Sequence, residues 1–409
     1  MDYSSTVEFL FSKLPYFTRD GKAAIKNDLN NTIALCQFLG HPEKQFKCIH
    51  IAGTNGKGSC SNMLAAVLQM HGYKTGLYTS PHLVDFRERI RINGNMIPEQ
   101  AVIDFVEKIK DQIEIIQPSF FEITVAMCFD YFAQSNIDIA IIETGLGGRL
   151  DSTNVIDPIV SVITNIGLDH TDLLGHTLPA IAFEKAGIIK HQTPVVIGET
   201  HSETKPVFEN KASDMESAIY FADQNPLFYN TEVELDLEGD YQQKNVVTVL
   251  QTLEILKQLA YPINDFTTAK ALLQVKALTQ FKGRWEKINT RPLTVADTAH
   301  NAHGLAWVVQ QIEKQTYHNL HMVIGMVKDK DQDAVLQLLP KQAQYYFCQP
   351  NLMRALDANL LQQKAAEYGL TGQAYPSVKS ALIAAEANAH DQDMIFIGGS
   401  TFVVAEILS

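Results

Sequence analysis

The chain has 409 residues, 46% of them hydrophobic and 19% charged, with a formal net charge of −13 at pH 7. That length exceeds one comfortable core, so two domains of an ordinary soluble globular protein are expected. The negative balance argues against non-specific nucleic-acid binding, and no apolar run reaches the length needed to span a membrane.

The opening Met-Asp-Tyr-Ser-Ser lacks the basic and apolar regions of a secretion signal, which predicts a cytoplasmic protein. Cys36, Cys48, Cys60, Cys128 and Cys348 are scattered, without zinc-site spacing and in an odd total for disulfides, and read as structural thiols. Residues 1–47 carry helical patterning, with Val7, Phe9, Leu10 and Phe11 early and Leu29, Ile33, Leu35, Cys36 and Leu39 before a Gly-His-Pro stop.

Cys48 to Gly72 reads as strand, phosphate loop, helix. An apolar run enters a turn holding Gly53, Gly56 and Gly58, and Met63, Leu64, Val67 and Leu68 follow at helical spacing. Glycines without Cβ atoms let backbone N–H groups curl around phosphate oxygens at the positive end of a helix. Lys57 adds a cation and Ser59 a hydroxyl, although Ile51 stands where the common G-x-x-x-x-G-K-[ST] pattern begins and Gly58 is inserted before Ser59.

Apolar runs recur at Thr75–Thr79, Ile139–Ile142, Ile159–Ile163 and Val195–Ile197, separated by helical or irregular stretches. Strands apolar throughout and alternating with helices predict a parallel sheet covered on both faces, with ligands beyond the strands' carboxyl ends. Just past those ends stand Ser80, then Glu143 with Gly145-Leu146-Gly147-Gly148-Arg149, then Asp169-His170. Ser80 and Glu143 suit a hard cation such as magnesium, and His170 suits softer metals better. Each also has a plain reading: Ser80 caps a turn before Pro81, Glu143 pairs with Arg149, and His170 bonds within its loop. The Gly145 loop is no dinucleotide fingerprint, because Leu150 occupies the last glycine position.

Lys185 ends a helical stretch and by pattern is a solvated cation or a partner of Glu184. The segment 200–240 is polar, and helical pattern resumes from Val246 to Leu259. Beyond Phe281-Lys282-Gly283-Arg284-Trp285-Glu286, strands are expected at Leu293–Ala296, Met322–Ile324, Tyr345–Cys348 and Met394–Ile397. The expected domains are 1–286 and 287–409, the second a smaller α/β sheet. Asp297, after a strand, could accept ribose hydroxyls, or Asp297 and Asn301 could cap the next helix.

Gly53-Thr54-Asn55-Gly56-Lys57-Gly58-Ser59, Tyr78-Thr79-Ser80-Pro81-His82, Gly145 to Asn154, Leu168-Asp169-His170, Glu184-Lys185-Ala186-Gly187 and Asp297-Thr298-Ala299-His300-Asn301 together resemble the folylpolyglutamate synthase/dihydrofolate synthase family, the folate branch of the Mur ligases. The resemblance covers nearly the whole chain in order. It implies a large N-terminal P-loop NTPase-like parallel-sheet domain, a smaller C-terminal Rossmann-like α/β domain, and an ATP-dependent amide ligase. Such an enzyme phosphorylates a carboxylate of dihydropteroate or a folate, and the amino group of L-glutamate then attacks the acyl phosphate.

By the same resemblance, Asn55, Gly56, Lys57, Gly58 and Ser59 would hold the ATP phosphates, with Asn245, Arg284 and Asp297 as further ATP contacts. Ser80, Glu143 and His170 would bind Mg2+. Lys57, Lys185 and His300 would act in catalysis, Lys185 as a carbamylated N6-carboxylysine. Phe121, Glu122, Arg149, Leu150 and Asp151 would contact the pteroate, with Glu122 meeting pterin N–H donors and Arg149 a carboxylate. The implied partners are small molecules acting on a monomer. Rival readings are a Mur-type ligase on a peptidoglycan precursor, for which the helical stretch ahead of Gly53 offers no extra UDP-binding domain, and a non-ligase nucleotide-binding ATPase.

Overall fold

In the computed structural model, residues 1–21, 26, 28–228, 232–328 and 330–409 are described. Two compact units emerge: the first from Met1–Gly167, Thr171–Asp236 and Gln242–Phe281, the second from Leu168–His170, Leu237–Tyr241 and Lys282–Ser409.

The chain begins with α1 (Tyr3–Lys13), α2 (Phe17–Asp20) and α3 (Asn30–Phe38), followed by β1 (Lys47–Ala52), α4 (Lys57–Met70) and β2 (Thr75–Tyr78). A hairpin of β3 (Ile90–Ile92) and β4 (Asn95–Met96) leads to α5 (Glu99–Ile116), α6 (Phe120–Gln134) and β5 (Ile139–Glu143). Next come β6 (Val160–Ile163), α7 (Thr171–Leu174), α8 (Leu178–Ala186), β7 (Val195–Ile197), α9 (Lys205–Asp214) and β8 (Ile219–Phe221). Helices α10 (Tyr241–Gln258), α11 (Asp265–Leu272) and α12 (Val275–Thr279) follow.

The first unit's sheet has the order β4-β3-β2-β5-β1-β6-β7-β8. Its strands are parallel from β2 to β8, and β3 and β4 are antiparallel additions. The central strands are apolar because both faces are covered: every residue of β5 and all of β1 after Lys47 are buried. Helix α4 is itself enclosed, with Ser59 to Leu68 buried between the sheet and helices α11 and α12. Ser119 and Glu122 form a capping box that starts α6.

The second unit runs β9 (Glu286–Thr290), β10 (Leu293–Ala296), α13 (Ala302–Glu313), β11 (Leu320–Ile324), α14 (Gln332–Leu336) and β12 (Gln344–Cys348), then α15 (Ala358–Glu367), β13 (Gly372–Tyr375), α16 (Val378–Asn388), β14 (Met394–Gly398) and α17 (Thr401–Leu408). Its sheet has the order β13-β12-β11-β14-β10-β9, parallel except for β9. Trp285, fully buried, anchors one core face with Leu305, Met322 and Phe396.

The expected fold class is therefore the observed one. The apolar runs became β2, β5, β6, β7, β10, β11, β12 and β14, whereas β3, β4, β8, β9 and β13 carry no such signal. Strands β3, β4 and β8 are only two or three residues long, and in β4, β9 and β13 exposed polar positions near the sheet edges break the apolar pattern.

Burial on both faces makes a sharp expectation. Ile141→Ala and Ile142→Ala, on opposite faces of β5, should each cost about 2–5 kcal/mol. Ile115→Ala, at a side chain 73% exposed, should stay within about 0.5 kcal/mol. Urea unfolding midpoints would separate the two classes.

Candidate active site

The phosphate loop lies where β1 ends. Gly56 has φ 82, the left-handed turn that glycine adopts without strain, and it opens α4. A Cβ on Gly56 would strike the Asn245 amide oxygen, and one on Gly53 would strike the Thr164 hydroxyl. The loop is pinned from β6's end: Asn165 Oδ1 accepts from the Asn55 amide at 2.9 Å, and Thr164 Oγ1 donates to the Asn55 carbonyl at 2.6 Å.

Two ammonium groups converge here. Lys57 Nζ donates to the Gly53 carbonyl at 3.1 Å and to that of Thr54 at 3.4 Å, and Lys185 Nζ donates to the same Gly53 carbonyl at 2.8 Å. Lys185 is 4% exposed. This corrects the pattern-based expectation of a solvated cation: α8 turns Lys185 inward beneath the loop. Two like charges at one carbonyl, beside a helix N-terminus, create a strong local field for an anion within an otherwise negative protein.

Sheet register gathers the next residues on the same rim. In β1, Ile51 is level with Glu143, and in β2, Tyr78 is level with Ile142, so Ser80 and Glu143 emerge from neighbouring strands at the end that carries the phosphate loop. A Cβ on Gly58 would sit 3.8 Å from Glu143 Oε2, placing that buried carboxylate against the loop. Among the described residues, no three His, Cys, Asp or Glu side chains form a metal cluster. A hydroxyl and a carboxylate nonetheless suit magnesium, which keeps waters and takes phosphate oxygens as its other ligands.

His170 groups with the second unit. Lys330 Nζ lies 2.6 Å from Asp169 Oδ1 and 3.1 Å from His170 Nε2, while Asn301 Nδ2 donates to Asp169 Oδ2 at 3.0 Å. His300 Nε2 stands 3.6 Å from Asp169 Oδ2, and His300 Nδ1 is 3.0 Å from the Thr298 carbonyl. Burial alone would raise the Asp169 carboxyl, but the His300 hydrogen bond and the charge of Lys330 outweigh it and hold Asp169 well below the usual range.

In the same unit Asp297 takes three hydrogen bonds, which leaves one lone pair on Oδ1. It accepts from the Tyr241 hydroxyl at 2.6 Å and from the amides of Trp285 and Ala299, each at 2.8 Å. Asn301 is the α13 cap, its Oδ1 accepting from the Gly304 amide at 2.8 Å, so the capping alternative holds for Asn301 and not for Asp297. Arg284 lies beside Trp285 and donates to the Gly283 carbonyl at 3.2 Å.

The remaining residues lie at the start of α6 and on the Gly145 loop. The Phe121 ring occupies the space a Gly145 side chain would need. Glu122 is 2% exposed, and its Oε2 accepts from the Ser119 amide at 2.6 Å and from Asn31 Nδ2 at 3.2 Å. Arg149 pairs with Glu184 at 2.9 Å, in place of the Glu143 partner considered from the sequence, and its guanidinium lies 5.8 Å from the Phe183 ring centre. Asp151 is buried, and Leu150 is half-buried. Lys330, Thr164, Asn165 and Tyr241 were missed by sequence reasoning. Thr164, Asn165 and Lys330 shared one usable signal, their place just beyond a parallel strand's carboxyl end.

The Mur ligase middle domain matches residues 51–258, and the Mur ligase glutamate ligase domain matches residues 283–401. The folylpolyglutamate synthase of Lacticaseibacillus casei is 33% identical, with 100% of this chain and 98% of that protein aligned. The dihydrofolate synthase/folylpolyglutamate synthase of Bacillus subtilis is 35% identical over 78% of this chain and 80% of its own. The structure of Escherichia coli FolC in complex with DHPP and ADP superposes with a TM-score of 0.88 at 27% identity, covering 100% and 97% of the two chains. A bifunctional folylpolyglutamate synthase/dihydrofolate synthase with Mn, AMPPNP and L-glutamate bound gives 0.86 at 26% identity, covering 100% and 97%. Two α/β units, one with a phosphate loop, and both domain matches define a Mur-type ligase. Within that class, the chain belongs to the folylpolyglutamate synthase/dihydrofolate synthase family, and its activity is ATP-dependent ligation of glutamate in folate metabolism.

Beneath the loop, burial and then the Lys190 charge push the His50 imidazole down to about 3. The unfolded chain, with an ordinary value near 6.5, therefore binds this proton first, so the contribution is complete above about pH 6.5 and is lost as pH falls through the folded value. The melting temperature should drop between pH 6.5 and 4, and His50→Gln should flatten that limb by about one proton's worth. Scanning calorimetry across this range is the check.

Proposed function

We propose that the enzyme activates a carboxylate of dihydropteroate or of a reduced folate as an acyl phosphate, which the amino group of L-glutamate captures. The chemistry demands an activation step, because an amine does not displace a carboxylate oxygen at neutral pH. The observation that carries this reading is the glycine turn at the start of α4, with Lys57 at its mouth and Ser80 and Glu143 emerging from neighbouring strands on the same rim.

In this reading the Asn55 to Ser59 backbone amides hold the ATP phosphates, and Lys57 neutralises their charge as the terminal phosphoryl moves. Asn245, packed against Gly56, fixes the loop's shape. Arg284 and Asp297 hold the nucleoside portion. Ser80 and Glu143 would hold magnesium, with His170 the further ligand that the family resemblance implies, and the ion would supply charge neutralisation at the phosphates. Lys185, a cation as it stands in the structure, serves in turnover as a carbamate: after its deprotonated amine reacts with carbon dioxide it would be an anionic oxygen ligand, leaving Lys57 and the N-terminus of α4 as the positive groups at the phosphates. His300 positions the reacting groups through its contact with Asp169.

Phe121, Glu122, Arg149, Leu150 and Asp151 receive the pteroate portion. Phe121 supplies a ring face and Arg149 an exposed guanidinium for a carboxylate. The acceptor is dihydropteroate, a reduced folate or both, and the enzyme works as a monomer in the cytoplasm. Five buried free cysteines support a reducing compartment, and among the described residues no helix is long and apolar enough to cross a membrane.

The test is ADP release from ATP with dihydropteroate or tetrahydrofolate monoglutamate, each with and without glutamate. Release that requires both glutamate and one of these acceptors supports the ligase, whereas release indifferent to both fits a simple ATPase. Lys57→Ala should lower the glutamate-dependent rate at least 100-fold, roughly the loss of one transition-state charge contact. Near-normal turnover in that variant would remove the phosphate-loop assignment.

A further inference from the structure

A histidine within an apolar strand needs a partner, since an unpaired buried polar group is costly. His50 is fully buried in β1, and its Nε2 lies 2.8 Å from Thr153 Oγ1. Thr153, also fully buried, in turn lies 2.5 Å from Asp151 Oδ1, and its amide donates to the same oxygen at 3.0 Å. The other carboxylate oxygen, Asp151 Oδ2, accepts from the Leu146 amide at 2.8 Å.

The direction of this relay follows from its proton count. An ionised carboxylate only accepts, so the single Thr153 hydroxyl proton goes to Asp151, and the freed lone pair on Oγ1 receives His50 Nε2–H. That leaves His50 Nδ1 unprotonated. This atom is buried and has no hydrogen-bond partner, which suits a bare ring nitrogen better than an N–H.

The far end of the relay bears on the substrate. Asp151 ties the Gly145 loop back on itself through Leu146, and that loop carries Arg149 and Leu150. Further supports are the Arg149 amide, which donates to the Glu184 carbonyl at 2.7 Å, Asn154 Nδ2, which donates to the Arg149 carbonyl at 3.1 Å, and the Arg149–Glu184 ion pair. We infer that His50 and Thr153 are positioning residues for the pteroate or folate: through Asp151 they fix the loop that presents Arg149 and Leu150 to it. This rests on the proposed role of Arg149 to Asp151 in holding that substrate. The strand that ends in the phosphate loop thereby also orients the acceptor's loop.

Thr153→Val removes the hydroxyl while keeping the shape, and Thr153→Ser keeps the hydroxyl. Thr153→Val should raise the KM for dihydropteroate roughly tenfold with the KM for ATP within about twofold of wild type, and Thr153→Ser should restore the wild-type value. A purely structural role would lower the melting temperature and move both KM values together, and that result overturns the inference. So does an unchanged dihydropteroate KM. If Thr153→Val does not fold, His50→Gln, whose amide can donate in place of Nε2–H, against His50→Leu, which cannot, gives the same comparison. Wild-type enzyme in the same assay separates the two claims: without glutamate-dependent ADP release the functional reading falls and takes the inference with it, whereas a normal wild type with unselective variants sinks the inference alone.

Discussion

Two ammonium groups from different helices share one backbone carbonyl, that of Gly53. Like charges do not gather around a single oxygen without a structure that forces them together. Here α4 supplies Lys57 from the phosphate loop itself, and α8 supplies Lys185 from below. The interlock that holds α8 in place is tight, for a side chain on Gly187 would collide with the Arg149 backbone, and one on Gly148 would lie 2.9 Å from the Glu184 and Lys185 carbonyls. The positive end of α4 adds to the same field. A protein with a net charge of −13 thus concentrates positive charge at one turn, the place proposed above for the ATP phosphates.

The parallel sheet makes that concentration useful. Because β2, β5, β1 and β6 are neighbours, whatever follows each strand emerges along one rim. Ser80, Glu143 and the phosphate loop are brought together by topology, although their segments lie far apart along the chain. The second unit organises its polar groups differently, around two carboxylates. Asp169 collects Lys330, His300 and Asn301, and Asp297 collects Tyr241, Trp285 and Ala299. Both carboxylates are buried or nearly so, and their partners compensate for the lost hydration.

Much of the fold was legible because parallel strands covered on both faces must be apolar throughout, as in Ile139 to Ile142, and because a cluster of glycines with a lysine has few structural uses. Edge strands such as β4 and β13 were not legible, since polar residues at their exposed positions dilute the apolar run, and β8 is apolar but only three residues long. The candidate site was legible where a residue sits directly beyond a strand, as Ser80 and Glu143 do. It was not legible where orientation decides. Nothing in Phe183-Glu184-Lys185 says that the lysine turns inward and the glutamate pairs with Arg149. Likewise, His50 looks like an isolated polar residue until folding brings Thr153 to it from far along the chain.

The enclosure of α4 bears on how the polypeptide is made. The helix carrying Lys57 has Met63, Leu64, Val67 and Leu68 at zero exposure, and the helices that shield its outer side, α11 and α12, begin only at Asp265. During synthesis, those apolar side chains leave the ribosome and wait for their cover for on the order of ten seconds or longer at ordinary elongation rates. The nucleotide-binding half of the enzyme is translated early and sealed late, so a nascent chain halted ahead of α11 carries a finished phosphate loop on an unfinished, adhesive body.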